Sequence, residues 1–127
     1  MIGGKVLDAS AIAAYARHDL AAVTWIDVAR TMNFALYLPS LALDEVRAVM
    51  PGAGPAIADL LDHPMALVRP FAAAAGDQVE RRLLDAGVFD GMAGHVVHAC
   101  SERGWPALSA DAGRLLRVDS TLEVDHI

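Results

Sequence analysis

The sequence has 127 residues, of which 55% are hydrophobic and 20% charged, and its formal net charge is −6. This length and apolar content allow one domain, residues 1–127, with a substantial core, and they exclude a disordered chain, which needs low hydrophobicity. The acidic balance disfavours nonspecific coating of nucleic acid, because such a protein gains no long-range attraction for phosphate. It does not disfavour a nuclease in which divalent cations bridge carboxylates to phosphate.

The most apolar stretches are interrupted by charged residues, so no segment predicts a helix that spans a membrane. Asp8 also falls where a secretion signal needs its apolar run. Cys100 is the single cysteine and cannot form an internal disulfide, which fits a reducing compartment. We therefore expect a cytoplasmic protein that does not interact with membranes.

Short apolar runs alternate with helical patterns along the chain. Strands are predicted at residues 5–7, 35–38, 65–68, 106–109 and 122–124. Helices are predicted at residues 10–16, 20–32, 40–50, 56–61, 72–86, 90–103 and 112–116, with Ser40 as an N-cap and Gly104 as a C-terminal cap. This alternation predicts an α/β fold, in which helices cover both faces of a parallel sheet of about four or five strands.

Four acidic residues stand near the carboxyl ends of the predicted strands. Asp8 ends the first strand, and Asp111 lies just past the fourth. Glu45 is in the first turns of the helix after the second strand, and Asp90 begins the helix that leads into the fourth. Sites in parallel sheets form at this edge, so the four carboxylates are candidates for one cluster. Such a cluster needs a cation, and oxygen ligands suit Mg²⁺ or Mn²⁺.

Each of these acids also has a simpler interpretation. An Asp after a strand commonly caps the helix that follows it, and acids in a first helical turn interact favourably with the helix dipole. Spacing alone therefore leaves open whether the acids are ligands or caps.

Three segments resemble the motifs of PIN domains, the fold of VapC-type toxin ribonucleases. They are Val-Leu-Asp-Ala-Ser-Ala at 6–11, Leu-Pro-Ser-Leu-Ala-Leu-Asp-Glu-Val at 38–46 and Gly-Trp-Pro-Ala-Leu-Ser-Ala-Asp at 104–111. The order of the predicted elements is also similar, and the resemblance covers nearly the whole chain. The motifs are short, and their order and spacing together make the resemblance specific.

The resemblance implies a role for each matching residue. Asp8 would bind metal and Ser10 would steady the site. Glu45, rather than its neighbour Asp44, would be the acid of the second motif. In the last motif Ser109 stands where the family often has Thr, and Asp111 would be the fourth acid.

The third acid departs from the family pattern. Asp90 lies 21 residues before Asp111, three residues earlier than the family's usual position, which Ala93 occupies here. Residues three apart share a helix face, so Asp90 can still point at the site from one turn away. It can equally be only the N-cap of its helix.

The function that the resemblance implies is that of an endoribonuclease dependent on Mg²⁺ or Mn²⁺, with metal held by Asp8, Asp90 and Asp111. Proteins of this kind usually form homodimers and are silenced by a cognate antitoxin protein. The displaced third acid supports a rival reading, a catalytically degenerate PIN-like protein that acts by binding protein or RNA. A third reading, a nucleotide or phosphate binder, is weaker because no Gly-rich loop follows the first strand.

Arg114, three residues after Asp111, is the best candidate to meet an RNA phosphate, although such an Arg is usually a solvated helix residue. His95 and His98 are three apart on one predicted helix, and two His at this spacing can share a metal. No third ligand is evident nearby, so we expect them to be partly exposed helix residues.

Overall fold

The computed structural model describes residues 3–127 as alternating strands and helices. The strands are β1 (Gly4–Leu7), β2 (Ala35–Pro39), β3 (Ala66–Arg69), β4 (Ala107–Ser109) and β5 (Val124–His126). The helices are α1 (Ala9–Ala16), α2 (Leu20–Met32), α3 (Ser40–Val49), α4 (Gly54–Leu61), α5 (Ala73–Ala86), α6 (Gly91–Arg103) and α7 (Ala112–Leu116). A short 3-10 helix at Pro51–Ala53 precedes α4.

The five strands form one parallel sheet in the order β3-β2-β1-β4-β5. The predicted α/β fold is confirmed. Val6 and Leu7 are neighbours in β1 and point to opposite faces of the sheet, yet both are fully buried. Both faces are therefore covered by helices, and β1 lies at the centre of the core.

The strand order places a topological switch point at β1. From β1 the chain passes to β2 and β3 on one side, and it later returns to β4 on the other side. In open α/β sheets the crevice beside such a point, at the carboxyl ends of the strands, is where ligands bind. The residues that follow β1 and β4, beginning at Asp8 and Ala110, therefore border the expected site.

The ends of several elements follow the expected chemistry. Gly87 and Gly104, which follow α5 and α6, both have a φ of 69°, a conformation that glycine adopts without steric cost. The predicted cap at Gly104 is confirmed. Asn33 ends α2 in the same left-handed region.

Two local predictions are wrong. Ser40 is the first residue of α3 rather than its N-cap, and its hydroxyl accepts a hydrogen bond from the backbone N–H of Phe71 at 3.1 Å. The last strand was expected at 122–124 but begins at Val124, because Leu122 lies in a turn where its N–H donates to the carbonyl of Asp119.

Candidate active site

Asp8 lies directly after β1 and is the N-cap of α1. Its Oδ1 accepts hydrogen bonds from the N–H of Ala11 at 2.9 Å and from the hydroxyl of Ser10 at 2.6 Å, and its Oδ2 accepts one from the hydroxyl of Ser109 at 2.5 Å. The residue is only 1% exposed. Burial raises the pKa of Asp8 above its ordinary value, while these three donors oppose the rise. The fold therefore holds this carboxyl group in one orientation.

Ser10 and Ser109 connect Asp8 to the loop after β4. The hydroxyl oxygen of Ser10 accepts from the N–H of Ala110 at 2.8 Å, and that of Ser109 accepts from the N–H of Asp111 at 2.9 Å. Each hydroxyl has a single proton, and each donates it to Asp8, so the 3.2 Å approach of the two serine oxygens adds no further bond. The two serines thus fix the end of β1 against the loop between β4 and α7.

Glu45 and Asp90 face each other across the guanidinium group of Arg114. Glu45 accepts from the two terminal nitrogens of Arg114 at 2.7 and 2.5 Å, and Asp90 accepts from Nε at 2.6 Å and from a terminal nitrogen at 3.0 Å. Asp90 also caps α6 through the N–H of Ala93 at 3.2 Å. Both interpretations of Asp90 therefore describe its contacts in part, since it caps a helix and also reaches the cluster.

Charge pairing shifts the pKa values of Asp90 and Arg114. The hydrogen bonds from Arg114 hold the pKa of Asp90 below its ordinary value, and the two carboxylates raise the pKa of Arg114. The three side chains keep between 17% and 30% of their surface exposed, so they form a partly buried ion pair network. Arg114 is thus held by acids of this chain, in contacts that the sequence did not indicate.

Asp111 lies in the loop after β4, between Ser109, which binds Asp8, and Arg114, which binds Glu45 and Asp90. It stands before α7 with its side chain exposed, and its charge raises the pKa of Asp8. Its N–H donates to Ser109, and its carbonyl accepts from the N–H of Arg114 at 3.2 Å. The four acids named from the sequence therefore border one edge of the sheet as two groups, Asp8 with Asp111 and Glu45 with Asp90, and the loop that follows β4 links the two groups.

The donor chemistry of this edge can be compared with what Mg²⁺ requires. Within residues 3–127, no three His, Cys, Asp or Glu side chains are arranged to hold one metal ion. Mg²⁺ needs only one or two carboxylates, because it keeps several waters. Asp8 has one unused lone pair on Oδ2, and the carboxylate of Asp111 is exposed, so both residues keep oxygens available to a cation. The Glu45–Asp90 pair is already occupied by the Arg114 guanidinium, whose positive charge repels a second cation.

His95 and His98 lie elsewhere, and the expectation that they are partly exposed is wrong. They are 3% and 9% exposed, and each has a buried Nδ1 without a hydrogen-bond partner among the described residues. His95 packs edge to face against Phe71, with ring centroids 5.0 Å apart. Helical spacing alone could not reveal the burial of His95, because this burial depends on the contact with Phe71. No residue pattern predicted that Phe71 would pack against α6.

Comparison with known proteins supports the fold. A scan against protein-family models finds no match for this sequence, and a search of curated proteins also finds none. Among solved structures, the chain is similar to PAE2754 from Pyrobaculum aerophilum, with 18% identity and a TM-score of 0.66, covering 98% of this chain and 92% of that chain.

A second similar structure is that of VapBC2 from Rickettsia felis bound to a DNA fragment from their promoter. The identity is 12% and the TM-score 0.70, and the match covers 99% of this chain and 98% of that chain. At these identities the similarity is one of fold, and it shows that this chain has the PIN fold. The resemblance drawn from the three sequence motifs is confirmed to that extent.

No helix within the described part of the chain combines the length and the apolar character needed to cross a bilayer.

Proposed function

We propose that this protein is a metal-dependent endoribonuclease, the toxin of a toxin–antitoxin pair, that hydrolyses phosphodiester bonds of RNA. The observation that carries the proposal is the meeting of Asp8 and Asp111 at the switch point of a PIN fold, joined through Ser109. Together with Glu45 and Asp90, these acids outnumber the single guanidinium among them. The excess of negative charge calls for a divalent cation.

Each residue has a proposed role at this edge. Asp8 and Asp111 would hold Mg²⁺ or Mn²⁺, which when bound supplies positive charge to a phosphodiester. Ser10 and Ser109 orient Asp8, and their donated hydrogen bonds favour its ionised form, which is the form that binds a cation. Asp90 would complete the ligands proposed from the sequence once it is free of Arg114.

RNA cleavage with Mg²⁺ or Mn²⁺ tests the proposal, comparing wild type with Asp8→Asn and Asp111→Asn. Asp27→Asn is a matched control, because Asp27 is an exposed acid on α2. We expect the first two substitutions to abolish cleavage and the control to retain it. Metal-dependent cleavage that survives Asp8→Asn would refute the proposed centre.

A second candidate function is that of a PIN-fold protein without catalysis that binds protein or RNA. The observation that favours it is the Arg114 pairing, which occupies two of the four acids. Calorimetry with Mn²⁺ separates the two. Binding that is lost in Asp111→Asn supports the enzyme, and no binding at millimolar metal supports the binding protein.

The proposed partners are an antitoxin protein and a second copy of this chain. The fold is similar to that in a VapBC2 structure, and large apolar side chains are exposed, among them Leu20 at 80%, Met32 at 67% and Phe89 at 98%. The proposed location is the cytoplasm, where the single cysteine would stay reduced. Light scattering of the purified protein tests the homodimer, which a monomer at all concentrations would contradict.

A further inference from the structure

The contacts of Arg114 are those of an internal counter-ion. Its side chain starts from α7, and its guanidinium lies between Glu45 of α3 and Asp90 at the start of α6. Four of its five N–H groups donate to these two carboxylates, and each carboxylate accepts two of them. Such paired, charge-assisted bonds are the strongest that a side chain offers to a carboxylate.

The acids that Arg114 joins belong to different elements and are 45 positions apart. They are only 30% and 17% exposed, so water shields their charges incompletely. Without a cation between them, the two ionised carboxylates would repel each other across the width of one guanidinium. A positive charge at this place therefore stabilises the folded state.

A guanidinium and a divalent cation repel each other, so the binding of one against a pair of carboxylates disfavours the binding of the other there. All four oxygens of Glu45 and Asp90 accept a hydrogen bond from Arg114, and Oδ1 of Asp90 also accepts one from Ala93. In contrast, Arg114 makes no side-chain bond to Asp8 or Asp111 within the described residues. The acidic edge is thus divided into a half that Arg114 fills and a half that it does not.

We propose that Arg114 is a resident cation that competes with divalent metal for Glu45 and Asp90. The protein then binds metal through Asp8 and Asp111 alone, and the Glu45–Asp90 half accepts a metal ion only after the Arg114 side chain leaves. The inference rests on the proposed function, which assigns metal binding to this edge of the sheet. It assigns to Arg114 a positioning role that opposes metal binding, rather than contact with substrate.

Mn²⁺ binding to the full chain tests this competition without any assay of activity. The variants are Arg114→Gln, which removes the competing cation, and Arg117→Gln as the matched control. Arg117 is the C-cap of the same helix and also lowers the pKa of Asp90 through its charge, but it is exposed and donates no hydrogen bond to the acids in the described structure. Calorimetry gives affinity and stoichiometry, and thermal melting with and without Mn²⁺ gives stabilisation by metal.

We expect Arg114→Gln to melt below wild type without metal, because Glu45 and Asp90 then repel each other. We expect it to gain about tenfold in Mn²⁺ affinity or a second bound ion, and a larger rise in melting temperature with metal than wild type shows. Arg117→Gln should bind Mn²⁺ as wild type does. In a double variant with Glu45→Gln, the gain should disappear.

Equal Mn²⁺ affinity and stoichiometry in wild type and folded Arg114→Gln would overturn the inference. If Arg114→Gln does not fold without metal, Arg114→Lys keeps the charge but loses the paired geometry, and its Mn²⁺ affinity should lie above that of wild type. Unchanged affinity in Arg114→Lys would then overturn the inference. A wild type that cleaves no RNA, beside a variant that gains Mn²⁺, would refute only the proposed activity.

Discussion

Asp8 is an ionisable side chain that the fold both buries and supplies with hydrogen-bond donors. Its pKa is raised because burial outweighs the hydrogen bonds from Ser10, Ser109 and Ala11. The folded state therefore binds a proton at pH values where the unfolded chain has released it. Stability must fall as pH rises from 3.8 through the folded pKa of Asp8, and above that point the cost is constant.

The substitution Asp8→Asn removes this cost and keeps the size of the side chain. Its NH2 group can donate to the Ser109 hydroxyl, which then turns its proton to the hydroxyl oxygen of Ser10, 3.2 Å away. We expect the variant to be more stable than wild type at neutral pH, by on the order of 1 kcal/mol, as is common where a functional site is destabilising. The difference should shrink as pH falls towards 3.8, where wild-type Asp8 takes up its proton. Urea unfolding at several pH values measures it, and an Asp8→Asn protein less stable than wild type at every pH would contradict the prediction.

The packing of α5 on α6 depends on a glycine in the first turn of α6. A Cβ added at Gly94 would lie 2.8 Å from Val79 Cγ1 and 3.1 Å from Leu83 Cδ2, both on α5. Val79 is buried, and a β-branched side chain has little freedom to turn away. The missing side chain therefore allows the two helices to approach closely.

Substituting Gly94 with Ala should force the two helices apart. We expect a loss of about 1–3 kcal/mol of unfolding free energy, the usual cost of overpacking, which exceeds the gain in helix propensity. Gly91→Ala is the matched control, because its nearest neighbouring atom would be 4.0 Å away, and it should be neutral or stabilising. Equal melting temperatures for the two variants would show that α5 adjusts freely.

Local sequence patterns were sufficient to predict most strands and helices. The remaining boundaries depend on contacts between elements that are distant in sequence. The fully buried β1 is an apolar run closed by Asp8, which is why its position was predictable. Strand β5 was placed two residues early, because the apolar Leu122 packs beneath the core from a turn. Ser40 resembled a cap, but its hydroxyl is used by Phe71, which is 31 positions away in sequence.

The candidate site also depends on contacts between residues that are distant in sequence, and these contacts could be predicted only in part. The end of β1 and the loop after β4 follow from strand order, so the proximity of Asp8 and Asp111 was predictable. The spacing of Arg114 from Asp111 placed it near the acids, but no residue pattern indicates its pairing with Glu45, 69 positions away. That pairing depends on where α3, α6 and α7 pack together in the folded chain.

At the scale of the whole molecule, Asp8 and His95 give opposite contributions to stability as pH changes. Burial and the neighbouring His98 lower the pKa of His95 from 6.5 to about 4. Below pH 6.5 the unfolded chain therefore binds a proton at His95, whereas the folded chain binds it only near pH 4. This contribution to stability is complete above pH 6.5 and is lost as pH falls towards 4, whereas the contribution of Asp8 increases as pH falls.

Replacing His95 with Phe isolates the histidine contribution to acid sensitivity. Phe keeps the apolar contact with Phe71 and cannot take up a proton, so the variant should lose less stability than wild type between pH 7 and pH 4. The difference between the two curves should reach about 3 kcal/mol, which corresponds to the fall in pKa at 3% exposure. His126 is exposed, and His126→Asn should follow the wild-type curve. Urea unfolding across this range measures both curves. Parallel curves for wild type and His95→Phe would contradict the prediction, because they would mean that the pKa of His95 is the same in the folded and the unfolded chain.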